Sequence, residues 1–181
     1  MTNVIAIKLG SSNTSIFKQG EGIVLFEPTL ACYTGSGKER EIKAFGSHAK
    51  RMMGRTDEFT FVSSPIKEGR IIDTDLAVSM LKHFLSKVIT KSLIKPKIKA
   101  VVCVPIGLTA KERKAYEKVC YYSGIQDVII VPSIMCGGIG YNLPVDMPNG
   151  LCLVNIGGGS TDIAVVSAGS IITGINISVG G

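Results

Sequence analysis

The feature that most constrains the fold is a repeat. Residues 151–167 read LCLVNIGGGSTDIAVVS, an apolar run ending in Asn155, then Gly157, Gly158 and Gly159, then Ser160 and Thr161, then a second β-rich run, Ile163 to Val166. Two β-branched runs around a glycine turn predict a hairpin. A turn without Cβ atoms lets backbone N–H groups approach a ligand, and successive N–H groups can form a concave anion site. An ordinary tight turn would look the same. The pattern recurs near the start: IAIKLGSSNTSIF, residues 5–17, aligns in kind with CLVNIGGGSTDIA, residues 152–164. Gly10 falls on Gly157 and Lys8 on Asn155, and a later glycine turn follows each, Gly20 to Gly22 and Gly169. A within-chain repeat decides the fold reading. Two such hairpins facing each other can hold a polyphosphate from both sides.

Between them the chain alternates strands and helices. Ile23–Phe26 predicts a third strand after the first hairpin. Residues 29–64 are more polar and basic, with a turn at TGSGKERE and a short helix over 47–53. TGSGK is not a P-loop, because the required upstream Gly and following Ser or Thr are replaced by Cys32 and Glu39. Residues 65–72 are expected to return the chain to the main sheet. Asp73 caps a helix whose Ala77, Met80, Leu81, Phe84, Leu85 and Val88 recur at helical spacing, with His83 on its solvated side. Residues 100–104 form a buried strand, Thr109 and Glu112 a capping box, and a helix runs on to Gly124. The strand 128–131 completes a parallel βαβ unit. A helix over 133–140 carries Gly137 and Gly138, which close backbone packing would explain.

The 181 residues are 45% apolar, enough to bury a good core, and carry a formal charge of +6 that favours an anionic partner. With few aromatics and no Trp, a base-stacking platform is not expected, and nucleic acid is not an expected partner. Cys32, Cys103, Cys120, Cys136 and Cys152 form no CxxC pair, and most lie in apolar runs or on helical faces. They read as buried thiols of a reducing cytoplasm, with no metal site. No stretch is long and apolar enough to span a bilayer, and the N-terminus has no signal-peptide pattern. In ITKSLIKPKIKA, Leu93 and Ile94 are flanked by Lys91, Lys95, Lys97 and Lys99. That pattern suits insertion into an anionic lipid surface, or a helix end tucked into the core beside solvated lysines.

The two hairpins resemble those of the actin-like ATPases, and within them the bacterial actin MreB, whose hairpins read much like IDLGTANT and DIGGGTTEVAV. EGIVLFEPTLA, KRMMGRT, SPIKEGRIIDTDLAVSMLKHFL, VVCVPIGLTAKERKA and GYNLPVDMPNG look like MreB segments in MreB order, so the resemblance covers essentially the whole chain. It implies an α/β actin-like ATPase domain: a ribonuclease H-like, mixed five-stranded sheet with helices on both faces, formed by residues 1–28 and 65–150. Residues 29–64 would be a small inserted subdomain making filament contacts, and 151–181 the opening hairpin of a second lobe. The adenosine half of the site would come from chain beyond residue 181, so the sequence reads as a truncated member, either a fragment of a longer product or a half-actin.

The resemblance also marks departures. Family Asp residues that hold the Mg²⁺ shell correspond to Lys8 and Asn155. The catalytic Glu segment, like IEEPMAAAIG, corresponds to VPSIMCGGIG, with Pro132 and Ser133 where glutamates fall. Carboxylates hold a hard cation and accept a proton, so without them Mg²⁺ binding is in doubt and hydrolysis is expected to be weak or absent. Lys8 either contacts phosphate in place of the metal or turns into solvent. No catalytic residue is assigned. ATP contact is expected at its phosphate end only, from Gly10, Ser11, Ser12, Asn13, Thr14, Gly157, Gly158, Gly159, Ser160 and Thr161. Leu93 and Ile94 would form a membrane loop. The implied role is a cytoplasmic filament at the inner face of the cell membrane, setting rod shape and guiding wall synthesis. Its partners would be itself or a full-length MreB, the anionic membrane and the rod-elongation machinery. A catalytically dead partner of a competent MreB is an alternative. A sugar kinase or polyphosphatase of the same superfamily is another, for which Asp73, Asp75 and Asp162 are the nearby carboxylates. A dinucleotide enzyme is disfavoured, because a strand and not a helix follows GGGST.

Overall fold

Buried Ile5, Ile7 and Leu9 alternate with exposed Lys8 and half-exposed Val4 and Ala6, so the strand β1 (Thr2–Leu9) presents one apolar face. A computed structural model describes residues 2–89 and 96–181. In chain order β1 is followed by β2 (Asn13–Lys18), β3 (Gly22–Pro28), β4 (Ala31–Thr34), β5 (Glu41–Phe45), α1 (Ser47–Met52) and β6 (Thr60–Ser63). Then come β7 (Ile66–Lys67), β8 (Arg70–Ile71), α2 (Thr74–Val88), β9 (Lys97–Val104), α3 (Ala110–Tyr122), β10 (Asp127–Pro132) and α4 (Ser133–Gly140). The last elements are β11 (Leu151–Ile156), β12 (Thr161–Ser167) and β13 (Ser170–Ile177).

The main sheet has five strands in the order β10-β9-β1-β2-β3. β10, β9 and β1 are parallel, while β2 and β3 form an antiparallel meander, so the sheet is mixed. Helix α2 starts where Asp73 accepts the Leu76 N–H at 2.9 Å, and α3 starts at the Thr109–Glu112 capping box. The two helices pack together and against the face carrying Ile5, Ile7 and Leu9, closing a core around Met80, Phe84, Val102 and Tyr116. A three-stranded sheet, β5-β4-β6, lies with α1 inside residues 31–63. A second core forms where α4 lies on the sheet β11-β12-β13, around Ile134, Val145, Leu153 and Val166. There Gly138 is required by close approach, since a Cβ would sit 2.8 Å from Val145 and 3.0 Å from Leu153. Gly137 faces open space and has no such role.

Several expectations are corrected. Residues 65–72 do not rejoin the main sheet: β7 and β8 pair only with each other, as a small hairpin turning at Glu68 and Gly69. Among the thiols only Cys32 and Cys120 are buried; Cys103 and Cys136 are partly buried, and Cys152 is exposed because its side points away from the second core. Leu93 and Ile94 lie outside the described residues. Their flanking Lys97 and Lys99 both meet Asp127, at 3.2 and 3.4 Å. No helix among the described residues is long and apolar enough to cross a membrane.

His83 is half-buried and not solvated, with its ring 5.1 Å from that of Phe45 and 6.0 Å from that of Phe84. Burial lowers its pKa below the ordinary 6.5; Lys87 and His48 add to the effect and Glu27 opposes it. The unfolded chain therefore binds this proton first, and the contribution of His83 to stability is present above 6.5 and lost as pH falls below it. Chemical denaturation at about pH 7.5 and about pH 5.5 should show lower stability in acid, and His83→Phe should reduce that difference. An unchanged difference in the variant would exclude His83 as its source.

Candidate functional site

The β1–β2 and β11–β12 turns face each other across a cleft of ≈ 280 Å³. This lies at the lower bound of the ~300–1,000 Å³ typical of small-molecule sites, suited to part of a ligand. Gly10, Ser11, Ser12 and Asn13 line it from one side, and Gly157, Gly158, Gly159 and Ser160 from the other. Each turn is closed by its own backbone: Gly10 N–H donates to Asn13 C=O at 3.1 Å, and Gly157 N–H to Ser160 C=O at 2.9 Å. The N–H groups of Ser11, Ser12, Gly158 and Gly159 meet no protein acceptor among the described residues.

The glycines serve contact between the loops. A Cβ on Gly158 would meet the Ser12 side chain, and one on Gly159 would sit 2.6 Å from Ser11 Cβ. The β7–β8 turn wedges in beside them. Gly69, at φ +70°, donates its N–H to Ser11 Oγ at 2.9 Å and accepts the Tyr116 hydroxyl at 2.9 Å. Arg70 follows, donating to Glu112 at 2.8 Å, to the Glu68 carbonyl at 2.9 Å and to Asn176 at 3.4 Å. The same Glu112 accepts from the Thr109 backbone and hydroxyl, and these bonds with Arg70 hold its carboxyl below the usual range. One small hairpin thus ties both glycine turns to α3 and β13.

Two residues expected at the ligand are turned away from the cleft. Thr14 is fully buried, and its hydroxyl shares a 2.9 Å hydrogen bond with that of Thr29. Thr161 is also buried and donates to the Val179 carbonyl at 2.7 Å. Both sit on strand positions whose pleat points inward.

Lys8, exposed, and Asn155 line the cleft, as does Ser133. Asp162, only 3% exposed, is the one carboxylate lining it among the described residues. Its Oδ1 accepts from Ile106 N–H at 3.3 Å and Asn176 at 2.8 Å; its Oδ2 accepts from Ser133 at 2.9 Å, which in turn receives Asn155 at 3.4 Å. Both oxygens are occupied by protein donors. A hard divalent cation needs several oxygen ligands, and this donor set does not supply them. Free backbone N–H groups beside an ammonium suit an anion. Asp73 and Asp75 do not line the cleft; Asp73 caps α2 and pairs with Arg40 at 2.8 Å. Of the three nearby carboxylates named from sequence only Asp162 lines the cleft; its partner Asn176, and Cys103 on the cleft wall, are not among the sequence-predicted site residues.

The cell shape-determining protein MreB of Escherichia coli is 35% identical over 99% of this chain and 52% of its own length. The cell shape-determining protein Mbl of Bacillus subtilis is 38% identical over 98% of this chain and 52% of its own. The crystal structure of Spiroplasma citri MreB5 bound to ADP superposes with a TM-score of 0.88 at 30% identity, covering 99% of this chain and 53% of that one. The MamK double helical filament shares the fold, with a TM-score of 0.78 at 17% identity over 98% of this chain and 55% of that one. The chain thus spans about half the length of the relatives it matches. A family model described as MreB/Mbl protein matches residues 2–181, and the chain belongs to the MreB/Mbl family of actin-like, cell shape-determining proteins.

Proposed function

We propose that this chain is an MreB-type cytoskeletal subunit whose cleft grips the phosphate end of ATP or ADP through its two glycine turns and Lys8, without Mg²⁺. The carrying observation is Lys8 and Asn155 on the cleft, with Asp162 as its one lining carboxylate among the described residues and that carboxylate fully engaged. Spiroplasma citri MreB5 is bound to ADP in one structure and to AMPPNP in another, which supports the nucleotide reading. Lys8 supplies the positive charge that a bridging cation otherwise brings, and the N–H groups of Ser11, Ser12, Gly158 and Gly159 supply donors. Hydrolysis requires a group that polarises the attacking water; Pro132 and Ser133 provide no carboxylate for it, so turnover is weak or absent.

The filament of MamK supports self-assembly. The net charge of +6 supports contact with an anionic membrane, and the cell shape-determining relatives support a role in cell shape, which this reading extends to rod shape and wall synthesis at the inner face of that membrane. Lys8, Asn155 and Pro132, where the resembling family carries carboxylates, favour a second reading, a non-hydrolysing partner that co-assembles with a competent MreB.

Binding of a fluorescent ATP analogue tests the site. The chain should bind it equally with and without Mg²⁺, and a Lys8→Asp, Asn155→Asp double variant should require Mg²⁺. Binding by neither protein, or by the variant alone, would sink the proposal. Sedimentation with anionic phospholipid vesicles tests the rest: the chain should pellet as polymer and more so with vesicles. A chain that pellets only with a full-length MreB supports the co-assembly reading, and one that never pellets excludes both.

A further inference from the structure

Behind the cleft two thiols meet. Cys103, on β9 beside Lys8 of β1, lines the cleft, and Cys136, on the first turns of α4, lines a separate cavity of ≈ 380 Å³ bounded by Pro132, Met135 and Ile171. Their sulfurs are 3.6 Å apart, with Cys103 donating to Cys136. They are 33 residues apart in sequence, so the fold and no local motif brings them together. A disulfide needs the sulfurs at ~2.05 Å, a closure on the order of 1.5 Å.

We propose that Cys103 and Cys136 form an oxidisable dithiol site, in which Cys136 reacts first with a low-molecular-weight disulfide and Cys103 then closes an internal disulfide. The order follows from the geometry. Cys136 accepts the Cys103 S–H and its own backbone N–H, which outweigh burial and bring its thiol to about 7. The donated hydrogen bond raises Cys103, and burial adds to this. A thiolate is the nucleophile in exchange, and Cys136 opens to the second cavity, where a small disulfide can reach it. The Cys136 thiolate attacks one sulfur of the reagent and expels a thiolate. Cys103, giving its proton to solvent, attacks the Cys136 sulfur and expels the second. Two protein thiols lose two electrons and two protons, and the reagent becomes two thiols. The new bond would tie β9 to α4 three residues beyond Ser133, the residue that holds Asp162 and Asn155 at the cleft.

Incubating the 181-residue chain with oxidised glutathione, then alkylating and mapping peptides, tests this. The expected result is loss of two of its five thiols with a Cys103–Cys136 linked peptide, reversed by dithiothreitol. In Cys103→Ser the glutathione adduct should accumulate on Cys136 ahead of Cys152, although Cys152 is the exposed thiol. In Cys136→Ser neither the link nor an adduct at Cys103 should form. Modification of Cys152 alone, a different linkage, or no linkage in the unmutated chain would overturn the proposal, and that mapping does not depend on how either variant folds.

Discussion

Replacing Gly69 by Val should lower stability by about 2–5 kcal/mol and weaken nucleotide-analogue binding together. Two costs add. Gly69 has φ +70°, in the left-handed region, where a side chain costs ~1–2 kcal/mol. A Cβ there would also sit 2.6 Å from Pro105 Cγ and 3.1 Å from Ser160 Oγ, and overpacking of this kind costs ~1–3 kcal/mol. Pro105 is a ring on the strand's exit and cannot swing aside as a long side chain would. Relief must come from moving the β7–β8 turn, which also carries the bonds to Ser11 and Tyr116. Melting should therefore begin roughly 5–20 °C lower. Gly54→Ala is the control, because Gly54 has φ +72° but nothing within 4 Å of its Cβ position. If Gly69→Ala and Gly54→Ala lose equal stability, the packing part of the argument fails.

That wedge was not legible in the sequence. Strands of two residues have no measurable periodicity, and the partners of Gly69 come from the β1–β2 turn, α3, the residue after β9 and the β11–β12 turn. The two glycine hairpins were legible, because their alternation and repeat are local. So were α2 and α3, through their caps and apolar spacing. The inward turn of Thr14 was readable: it shares strand parity with Ile16, and both are fully buried. Motif position outweighed that parity in the sequence reading and placed Thr14 at the ligand. The glycines at 158 and 159 announced a close approach, but the sequence could not show that Ser12 and Ser11 occupy the space. Likewise the 3.6 Å approach of Cys103 and Cys136 depends on the β9–β10 register and the helix that follows, neither of which a spacing rule contains.

Asp162 is the one carboxylate lining the cleft among the described residues, and its role can be tested by two substitutions. Asp162→Ala should cost about 1–3 kcal/mol, because it leaves the buried Ile106 N–H without an acceptor, while the partly exposed Asn176 and Ser133 can turn to water. Asp162→Asn should cost far less. The amide oxygen can still accept from Ile106 and Asn176, and the Ser133 hydroxyl can rotate to accept from the new NH₂. The two variants should also separate stability from binding. Asp162 places a negative charge on the wall of a cleft whose other charged lining residue is Lys8. A polyphosphate entering without a divalent cation is repelled by that charge. Asp162→Asn should therefore bind an ATP analogue several-fold more tightly in the absence of Mg²⁺ while folding slightly less stably. In a site where a carboxylate holds the cation, the same change would weaken binding, so the sign of the affinity change, read by titration with and without Mg²⁺, decides whether Asp162 serves the architecture of the cleft or a metal within it.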